Sequence, residues 1–538
     1  MTATDWITAD IVIVGGGSAG SVMASRLSED PSRTVALLEA GPEQRDLRLA
    51  VPALLGEVLG SKVACWDYAT VPQDRLGGRR LRWPRGKVMG GSSAINGMCY
   101  QRGDLSDYDE WARLGAEGWG RGEALHYFKR SETHSEGASQ WHGDDGPLHV
   151  TRPASVEPAT EMYLEAGRQM GLPLIEEFAE PNREGVGVFD TTTRNGRRHS
   201  AAAAYLTKAV RARPNLTVVT NAKARRVLFD GTRARAVEYE ADGVRKEATA
   251  TREVISCAGA IGTPQLLMLS GVGPAGHLGE HGVGVVADRP GVGANMADHL
   301  DVMAYRWTRP GGTVSYTVRS LFEHAGALGQ YLRDGTGTLA SNLAEGNGFM
   351  RSRPDLDRPD IQFHFIPGLA MDHGTNKNWG RSGVSIHACN LYPESRGTIR
   401  LASADPGDAP LIDPNYLDSE RDWEVMVAAA KAARAVLSQP VWDGIGRGFV
   451  RPEATPETDE DWRALIRDEA ETIYHPVGTA RMGRRDDEAA VTDTMGCVHG
   501  VEGLRVVDAS LFPSIPGGNT NAPTIMVAER IAERGMGA

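Results

Sequence analysis

The sequence predicts an α/β fold with at least two domains, on the strength of chain length and one supersecondary pattern. The chain has 538 residues, whereas a single hydrophobic core stops growing at roughly 250 to 300 residues. The apolar run IVIV at 11–14 is typical of a buried strand, GGGSAG at 15–20 follows as a tight turn, and SVMASRLSED then has the apolar spacing of a helix. This order predicts that the chain opens with a Rossmann-like unit.

The turn itself carries a dinucleotide-binding pattern. Gly15, Gly17 and Gly20 satisfy GxGxxG, which permits the turn, a close approach of backbone to pyrophosphate and tight packing of helix on strand. Glu39 ends the next strand-like run, TVALLEAG, at about the twenty-residue spacing expected of a ribose-binding carboxylate. Because the helix N-terminus also offers free N–H groups to phosphates, we expect either NAD or FAD here.

The same residues also match a second motif. Gly16, Ser18 and Gly20 spell GxSxG, the nucleophile elbow of α/β-hydrolases. That elbow normally follows several strands, whereas here it stands on the first one. We therefore favour the dinucleotide interpretation, in which Ser18 donates its hydroxyl to a phosphate, and keep the hydrolase as an alternative.

Charge and composition narrow the class of protein. The net charge of −12 argues against nucleic acid as a partner. No apolar run approaches the roughly 20 residues that span a bilayer, and the first residues lack the basic start and cleavage site of a signal peptide. Five cysteines without a CxxC pair indicate reduced thiols. We expect a cytoplasmic enzyme, with peripheral membrane association left open, and no required metal.

Four ordered segments then decide between the two cofactors. WPRGKVMGGSSAINGMCYQRG occupies 83–103, GAIGTPQLLMLSGVG 259–273, ETIYHPVGTARMG 471–483 and IPGGNTNAPTIMVAE 515–529. Together they resemble the glucose-methanol-choline (GMC) oxidoreductases over nearly the whole chain, with Met89 as the one looser residue of the first signature. The resemblance implies an FAD enzyme that oxidises alcohols, close to bacterial alcohol, polyethylene glycol and choline dehydrogenases.

The resemblance also implies the residues that bind FAD. They are Gly15, Gly17, Ser18, Ala19, Gly20, Glu39, Ala40, Trp83, Arg85, Gly86, Met89, Gly90, Gly91, Ser92, Asn96, Gly97, Met98, Ala224, Cys257, Ala258, Gly259, Asp508, Ala509, Asn521, Pro523 and Thr524. Some family members tether FAD through a histidine that precedes the asparagine of the GGSS segment. Here Ile95 stands before Asn96 and cannot form that bond, so FAD is expected to be noncovalent.

The implied architecture is discontinuous. A Rossmann-like FAD-binding domain would comprise residues 1–155, 195–300 and 476–538, and a substrate-binding domain residues 156–194 and 301–475. The strand-like runs at 360–366, 385–393 and 397–403 would form an antiparallel wall over the flavin. A helix is expected to begin near 263–264 and a last one near 522–523.

The family's catalytic pair corresponds to His475 and Asn519. Histidine suits removal of the hydroxyl proton as hydride passes to flavin N5, because its pKa lies near neutrality. Asparagine cannot exchange that proton, but its amide can donate to the substrate oxygen. The positive N-terminus of the last helix would face the flavin and favour its reduction, and Asp508 would hold the ribityl region or act only as a cap.

The substrate is the least determined feature. We expect a neutral primary alcohol, with Glu345 and Tyr474 as substrate residues. Choline is the alternative, because Glu345, Trp66 and Tyr474 could supply a carboxylate and aromatic faces to a quaternary ammonium. A hydroxynitrile lyase on the same fold also stays open. A quinone or dye is the preferred electron acceptor by resemblance alone, with oxygen as the other.

Overall fold

A computed structural model describes residues 7–180, 182–315, 318–371 and 380–535. Its strands are β1 (Ile7–Val14), β2 (Val35–Leu38), β3 (Cys65–Ala69), β4 (Arg82–Gly86), β5 (Glu132–His134), β6 (Leu148–Val150), β7 (Gly185–Val188), β8 (Thr193–Arg194), β9 (Arg197–Arg198), β10 (Leu216–Val219), β11 (Ala222–Asp230), β12 (Arg233–Ala241), β13 (Val244–Ser256), β14 (Val272–Gly273), β15 (Ala287–Asp288), β16 (Leu300–Thr308), β17 (Gly346–Met350), β18 (Ile361–Ile366), β19 (Gly383–Asn390), β20 (Thr398–Arg400), β21 (Leu411–Asp413), β22 (Gly446–Arg451), β23 (Glu471–Thr472) and β24 (Leu504–Val506).

The helices complete the element order. They are α1 (Ser18–Leu27), α2 (Leu55–Leu59), α3 (Leu105–Arg113), α4 (Arg121–Ser131), α5 (Pro158–Gln169), α6 (Ala201–Tyr205), α7 (Lys208–Arg211), α8 (Gly259–Leu269), α9 (Ala275–Glu280), α10 (Val318–Asp334), α11 (Glu420–Leu437), α12 (Asp459–Glu469) and α13 (Asn521–Arg530).

The first large sheet contains the predicted nucleotide-binding unit. Its order is β10, β2, β1, β13, β12 and β11, with β24 also paired to β13. Strands β10, β2, β1, β13 and β24 run parallel, whereas β11, β12 and β13 form an antiparallel meander. The meander turns at Asp230-Gly231 and at Asp242-Gly243. Residues 11–14 of β1 and all of β2 are buried on both faces, which explains their continuous apolar runs.

The second large sheet is antiparallel. Its order is β22, β16, β19, β18, β17 and β7, with the short β23 paired to β16. It contains two of the three predicted wall strands, at 361–366 and 383–390. The third prediction was wrong, because residues 398–400 pair only with β21 in a separate hairpin. The intervening turn brings residues 411–413 back beside 398–400, and this local pairing satisfies the backbone away from the wall.

Helix α8 begins earlier than the sequence predicted. It starts at Gly259 rather than near 263–264, so Pro264 lies inside the helix. Proline has no N–H to donate to the carbonyl of Ala260 four residues earlier. The hydroxyl of Thr479 donates to that carbonyl at 2.6 Å instead. A side chain from the C-terminal segment therefore makes the interior proline tolerable.

The first and last long helices pack together through a buried carboxylate. Glu529 of α13 is fully buried and accepts hydrogen bonds from Arg26 of α1 at 2.8 Å and from the Tyr205 hydroxyl at 2.7 Å. Charge-assisted bonds of this kind are strong when both partners are shielded from water. This contact aligns α1 and α13 so that their N-termini open onto the same cavity.

Candidate active site

One large cavity runs between the carboxyl ends of the parallel strands of the first sheet and the face of the second, antiparallel sheet. Its volume is about 620 Å³, which is within the range of sites for small molecules and cofactors. The turn after β1 and the N-termini of α1, α8 and α13 line one part of it. The other part is lined by β18, β19 and the segment 473–476. The cavity thus joins the predicted cofactor site to the predicted catalytic residues.

Glycines hold the cofactor end of this cavity open. Gly15 has a φ of +100°, and a Cβ on Gly20 would lie 1.8 Å from the Gly15 carbonyl oxygen. Gly17 and Gly91 approach so closely that a Cβ on Gly91 would lie 2.7 Å from the Gly17 Cα. Any side chain at these positions would displace backbone. The glycine pattern is therefore required by the geometry of the turn.

Glu39 braces the turn from the end of β2. Its two carboxylate oxygens accept the backbone N–H groups of Gly16 and Gly41, each at 2.7 Å. Burial raises the pKa of Glu39 to about 7, against the effect of these hydrogen bonds. Glu39 lines the cavity, so its carboxylate can still meet a ribose hydroxyl while it holds the glycine turn.

The first residues of α1 and α13 are joined at the cavity by a hydrogen bond between their side chains. The Ser18 hydroxyl of α1 donates to the Asn521 side-chain oxygen of α13 at 2.7 Å. Ser18 lines the cavity, where its phosphate contact stays a prediction, and its bond to an amide is not the histidine contact that activates a serine nucleophile. Together the helix ends direct positive partial charge into the cavity, which suits an anionic pyrophosphate.

Asp508 holds the start of α8 at the edge of the cavity. One of its oxygens accepts the N–H of Gly259 at 2.8 Å and the hydroxyl of Thr263 at 2.6 Å, both in the first turn of α8. The other oxygen accepts the N–H of Ser510. These bonds make Asp508 a cap, and because Asp508 also lines the cavity, its contact with the ribityl region of the flavin stays a prediction.

Most of the predicted cofactor residues line the cavity, and five do not: Gly20, Trp83, Met89, Gly90 and Pro523. These five support the wall from behind. Trp83 is fully buried, and the N–H of Gly90 donates to the Gly16 carbonyl at 2.7 Å. The N-termini of α1, α8 and α13, the buried Glu39 and the glycine turn together fit an FAD dinucleotide.

The predicted catalytic pair comes together at the other end of the cavity. His475 Nε2 lies 3.2 Å from Asn519 Nδ2, although 44 residues separate the two in the chain. Asn519 Nδ2 also lies 3.4 Å from His364 Nε2, and its side-chain oxygen accepts from Gln362 at 3.5 Å. The amide of Asn519 is thereby oriented with its N–H groups toward the histidines.

Burial determines the charge of His475. Only 9% of its surface is exposed, and burial, with further contributions from His299, His364 and Arg85, lowers its pKa well below the usual histidine range. His475 is therefore neutral at pH 7. Arg85 also donates to the Tyr474 carbonyl at 2.7 Å.

Sequence reasoning missed two histidines of the wall. His364 of β18 and His387 of β19 are directly opposite each other in the strand register, and both line the cavity. The sequence did predict the two strands, so the presence of one histidine in each of them was the signal that could have identified these residues. Burial lowers the pKa of His364 to about 3 and that of His387 to about 4, while His387 Nδ1 lies 2.6 Å from a carboxylate oxygen of Asp301.

The two predicted substrate residues have different positions. Tyr474 lines the cavity and has a φ of +67°. Glu345 does not line it. Its oxygens accept from the Glu157 N–H at 2.9 Å and from the Thr160 and Ser341 hydroxyls at 2.6 Å each. This carboxylate ties α5 to the loop before β17.

Comparison with known proteins identifies the family. A family model described as GMC oxidoreductase matches residues 9–301, and a second of the same description matches residues 393–528. The chain belongs to the GMC oxidoreductases. It is 43% identical over 531 residues to an alcohol dehydrogenase (acceptor) of Pseudomonas putida, covering 97% of this chain and 95% of that one.

Two further matches support the assignment. An oxygen-dependent choline dehydrogenase of Chromohalobacter salexigens is 44% identical over 531 residues, covering 98% of this chain and 94% of that protein. The crystal structure of pyridoxine 4-oxidase from Mesorbium loti superposes with a TM-score of 0.89 at 34% identity, covering 98% of this chain and 99% of that chain. The predicted family, α/β fold and FAD cofactor are confirmed.

This GMC enzyme is an FAD-dependent oxidoreductase that acts on CH–OH donors. Its described residues, 7–180, 182–315, 318–371 and 380–535, include no helix that combines the length and apolarity needed to cross a membrane.

Proposed function

We propose that the enzyme oxidises a neutral primary alcohol to the aldehyde, with His475 as the base. The observation that carries this proposal is the 3.2 Å separation of His475 Nε2 and Asn519 Nδ2 at the cavity wall. An oxygen atom can lie at ordinary hydrogen-bond distance from both nitrogens at once. A substrate hydroxyl in that position donates its proton to His475 and accepts a hydrogen bond from Asn519.

Each residue then has a defined part in the reaction. Bound FAD supplies the two-electron acceptor for the hydride that leaves the carbinol carbon. Neutral His475 takes the hydroxyl proton, so the alcohol loses one hydride and one proton and becomes the aldehyde. Asn519 has no proton to exchange, and its N–H stabilises negative charge that develops on the oxygen.

The contacts of Glu345 and Trp66 favour a neutral substrate over choline. All the hydrogen bonds of Glu345 described above are internal to the protein, and its carboxylate does not reach the cavity. Trp66 does line the cavity, but the ammonium groups of Lys87 and Lys223 lie 4.6 and 5.4 Å from its ring centroid. A quaternary ammonium at that ring would meet two like charges.

The charged residues that line the cavity also favour a neutral substrate over a cationic one. The acidic residues that line the cavity are Glu39, Glu57, Asp67, Asp408 and Asp508. Within the described part of the chain, none of these lies on the antiparallel sheet. The charged residue just before β19 that lines the cavity is Arg381, which would repel a cationic substrate.

The proposal also covers the electron acceptor that reoxidises the flavin. We propose a quinone or dye as acceptor. The name of the Pseudomonas putida relative specifies an acceptor without saying which, and the oxygen-dependent relative raises oxygen as the alternative. Dye reduction and oxygen consumption measured on the same sample would separate the two.

We also propose that the parallel strands of the first sheet belong to an FAD domain of residues 1–155, 195–300 and 476–538, and the antiparallel sheet to a substrate domain of residues 156–194 and 301–475.

The deciding experiment is anaerobic reduction of the holoenzyme by a panel of neutral primary alcohols and by choline. Loss of flavin absorbance with the neutral alcohols, slowed by about 10² to 10⁴ in His475→Ala, is the expected result. His126→Leu serves as control, because His126 is exposed. Reduction by choline alone would make choline the substrate. Full-rate reduction of His475→Ala would show that another residue is the base, and activity on a cyanohydrin without flavin reduction would establish the lyase.

A further inference from the structure

The side chain of His475 has a partner on its other ring nitrogen. His475 Nδ1 lies 3.0 Å from His299 Nδ1, with the two ring planes at 84°. His299 was not among the residues predicted from the sequence. It lies behind His475 and is fully buried, so it meets substrate only through its neighbour.

The second nitrogen of His299 shows where its proton lies. His299 Nε2 is 3.0 Å from the carbonyl oxygen of Leu391, and a carbonyl can only accept. The proton of His299 is therefore on Nε2. Burial lowers the pKa of His299 to about 3, so the ring is neutral and carries only that one proton. Its Nδ1 is left as a hydrogen-bond acceptor.

This determines the tautomer of His475. Two bare nitrogens cannot form the 3.0 Å contact, so His475 Nδ1 must carry the proton and donate it to His299. His475 is also neutral, and its Nε2 is then unprotonated. Nε2 is the nitrogen beside Asn519 in the cavity. The direction of hydrogen bonds runs from His475 to His299 to the Leu391 carbonyl.

The strand pairing holds this chain of bonds in place. His299 directly precedes β16, and Leu391 directly follows β19, which pairs with β16. Strand β23 pairs with β16 at Leu300 and Thr472, and the N–H of Ile473 donates to the His299 carbonyl at 3.2 Å. Three strands of one sheet therefore set the distances between the groups.

We propose that His299 is a positioning residue that keeps the proton of His475 on Nδ1 and leaves Nε2 ready to accept the proton of the alcohol. This inference rests on the proposed role of His475 as the base. The alternative tautomer would direct an N–H at the substrate hydroxyl and could not take its proton. In other catalytic and metal-binding histidines, a buried partner on the second ring nitrogen fixes the tautomer and orientation of the ring in the same way.

Two substitutions separate positioning from packing. His299→Leu removes the acceptor and should slow anaerobic flavin reduction by alcohol by on the order of 10² to 10⁴. His299→Gln offers an oxygen to His475 and an N–H to the Leu391 carbonyl, and it should restore the rate to within about tenfold of the wild type. Equal slowness of the two variants, or a wild-type rate in His299→Leu, would overturn the inference.

Two further measurements keep the test independent of folding and of the base assignment. In wild-type holoenzyme labelled with nitrogen-15 histidine, the signals lost in His475→Ala identify the ring, and their shifts should show a protonated Nδ1 and a bare Nε2. A protonated Nε2 would overturn the inference even if neither variant folds. Failure of the proposed function appears separately, as rapid flavin reduction in His475→Ala.

Discussion

Asp298 holds the main chain of His475, whose N–H donates to Asp298 Oδ1 at 2.7 Å. The other oxygen of Asp298 accepts the hydroxyls of Thr472, at 2.5 Å, and Tyr416. The residue before His475, Tyr474, has a φ of +67°, which is strained for a residue with a side chain. Asp298 and its neighbour His299 thus hold the backbone and the ring of the proposed base.

Asp298→Asn should reduce catalysis more than FAD binding. An amide has one accepting oxygen instead of two, so either the His475 N–H or the two hydroxyls lose their acceptor. Small misplacement of a reacting group costs about 10²-fold in rate, and we expect flavin reduction by alcohol to slow by about 10- to 100-fold. Stopped-flow reduction of the FAD-loaded variant measures this. The exposed Asp355→Asn is the control, and an unchanged rate in Asp298→Asn would show that the loop at His475 is held by other contacts.

Glu39→Gln should weaken FAD binding. The carboxylate accepts from both Gly16 and Gly41, and glutamine would turn an N–H₂ toward one of those donors. A lost charge-assisted hydrogen bond costs about 1.5 to 3 kcal/mol, so the Kd for FAD should rise by about tenfold or more. Fluorescence titration of FAD with apoprotein gives the value. Glu29→Gln, at an exposed position two residues after α1, should match the wild type, and equal affinities in all three proteins would remove Glu39 from the cofactor site.

FAD should leave the protein on unfolding. The position that carries the tethering histidine in some relatives of this family is Ile95, which is buried and has no nucleophilic atom. We expect denaturation followed by ultrafiltration to put all of the yellow colour in the filtrate. Flavin that stays with the denatured chain would reveal a covalent bond to another residue.

His142→Gln should destabilise the protein in a pH-dependent way. The two ring nitrogens of His142 lie 2.8 Å from Glu132 and 2.7 Å from Glu177. Burial lowers the pKa of His142, but these hydrogen bonds outweigh burial and raise it to about 9. A raised folded-state pKa contributes stability that is fully present below the unfolded value of about 6.5 and is lost as the pH rises through about 9.

The size of the effect follows from breaking a buried ion pair. We expect His142→Gln to lower the free energy of unfolding at pH 6 by about 2 to 4 kcal/mol. The gap from wild type should narrow between pH 6.5 and 10, as measured by melting midpoints at each pH. His126→Gln is the matched control on the exposed surface. A gap that stays constant over this range would mean that His142 contributes by packing alone.

Local patterns in the sequence were enough for the nucleotide-binding unit. A buried parallel strand has to be apolar throughout, a tight turn needs glycine, and the following helix has its own period. Residues 11–39 carry all three signals within a short stretch, so β1, α1, β2 and Glu39 were predictable. The wall strands at 361–366 and 383–390 were also predictable, because their local residue types favour a strand. Residues 398–400 also resembled a wall strand, because strand propensity does not specify a partner.

The sequence by itself determined the α/β class and the cofactor turn, and it supplied the proposed catalytic pair, since these depend on residue types within short segments. Only the tertiary structure decided which distant groups surround that pair. His299 and His475 are 176 residues apart in the chain, and strand pairing together with the Asp298 contact brings their rings to 3.0 Å. The structure likewise engages Glu345 with α5 instead of the cavity. Contacts of this kind depend on the packing of whole sheets, and no local pattern encodes them.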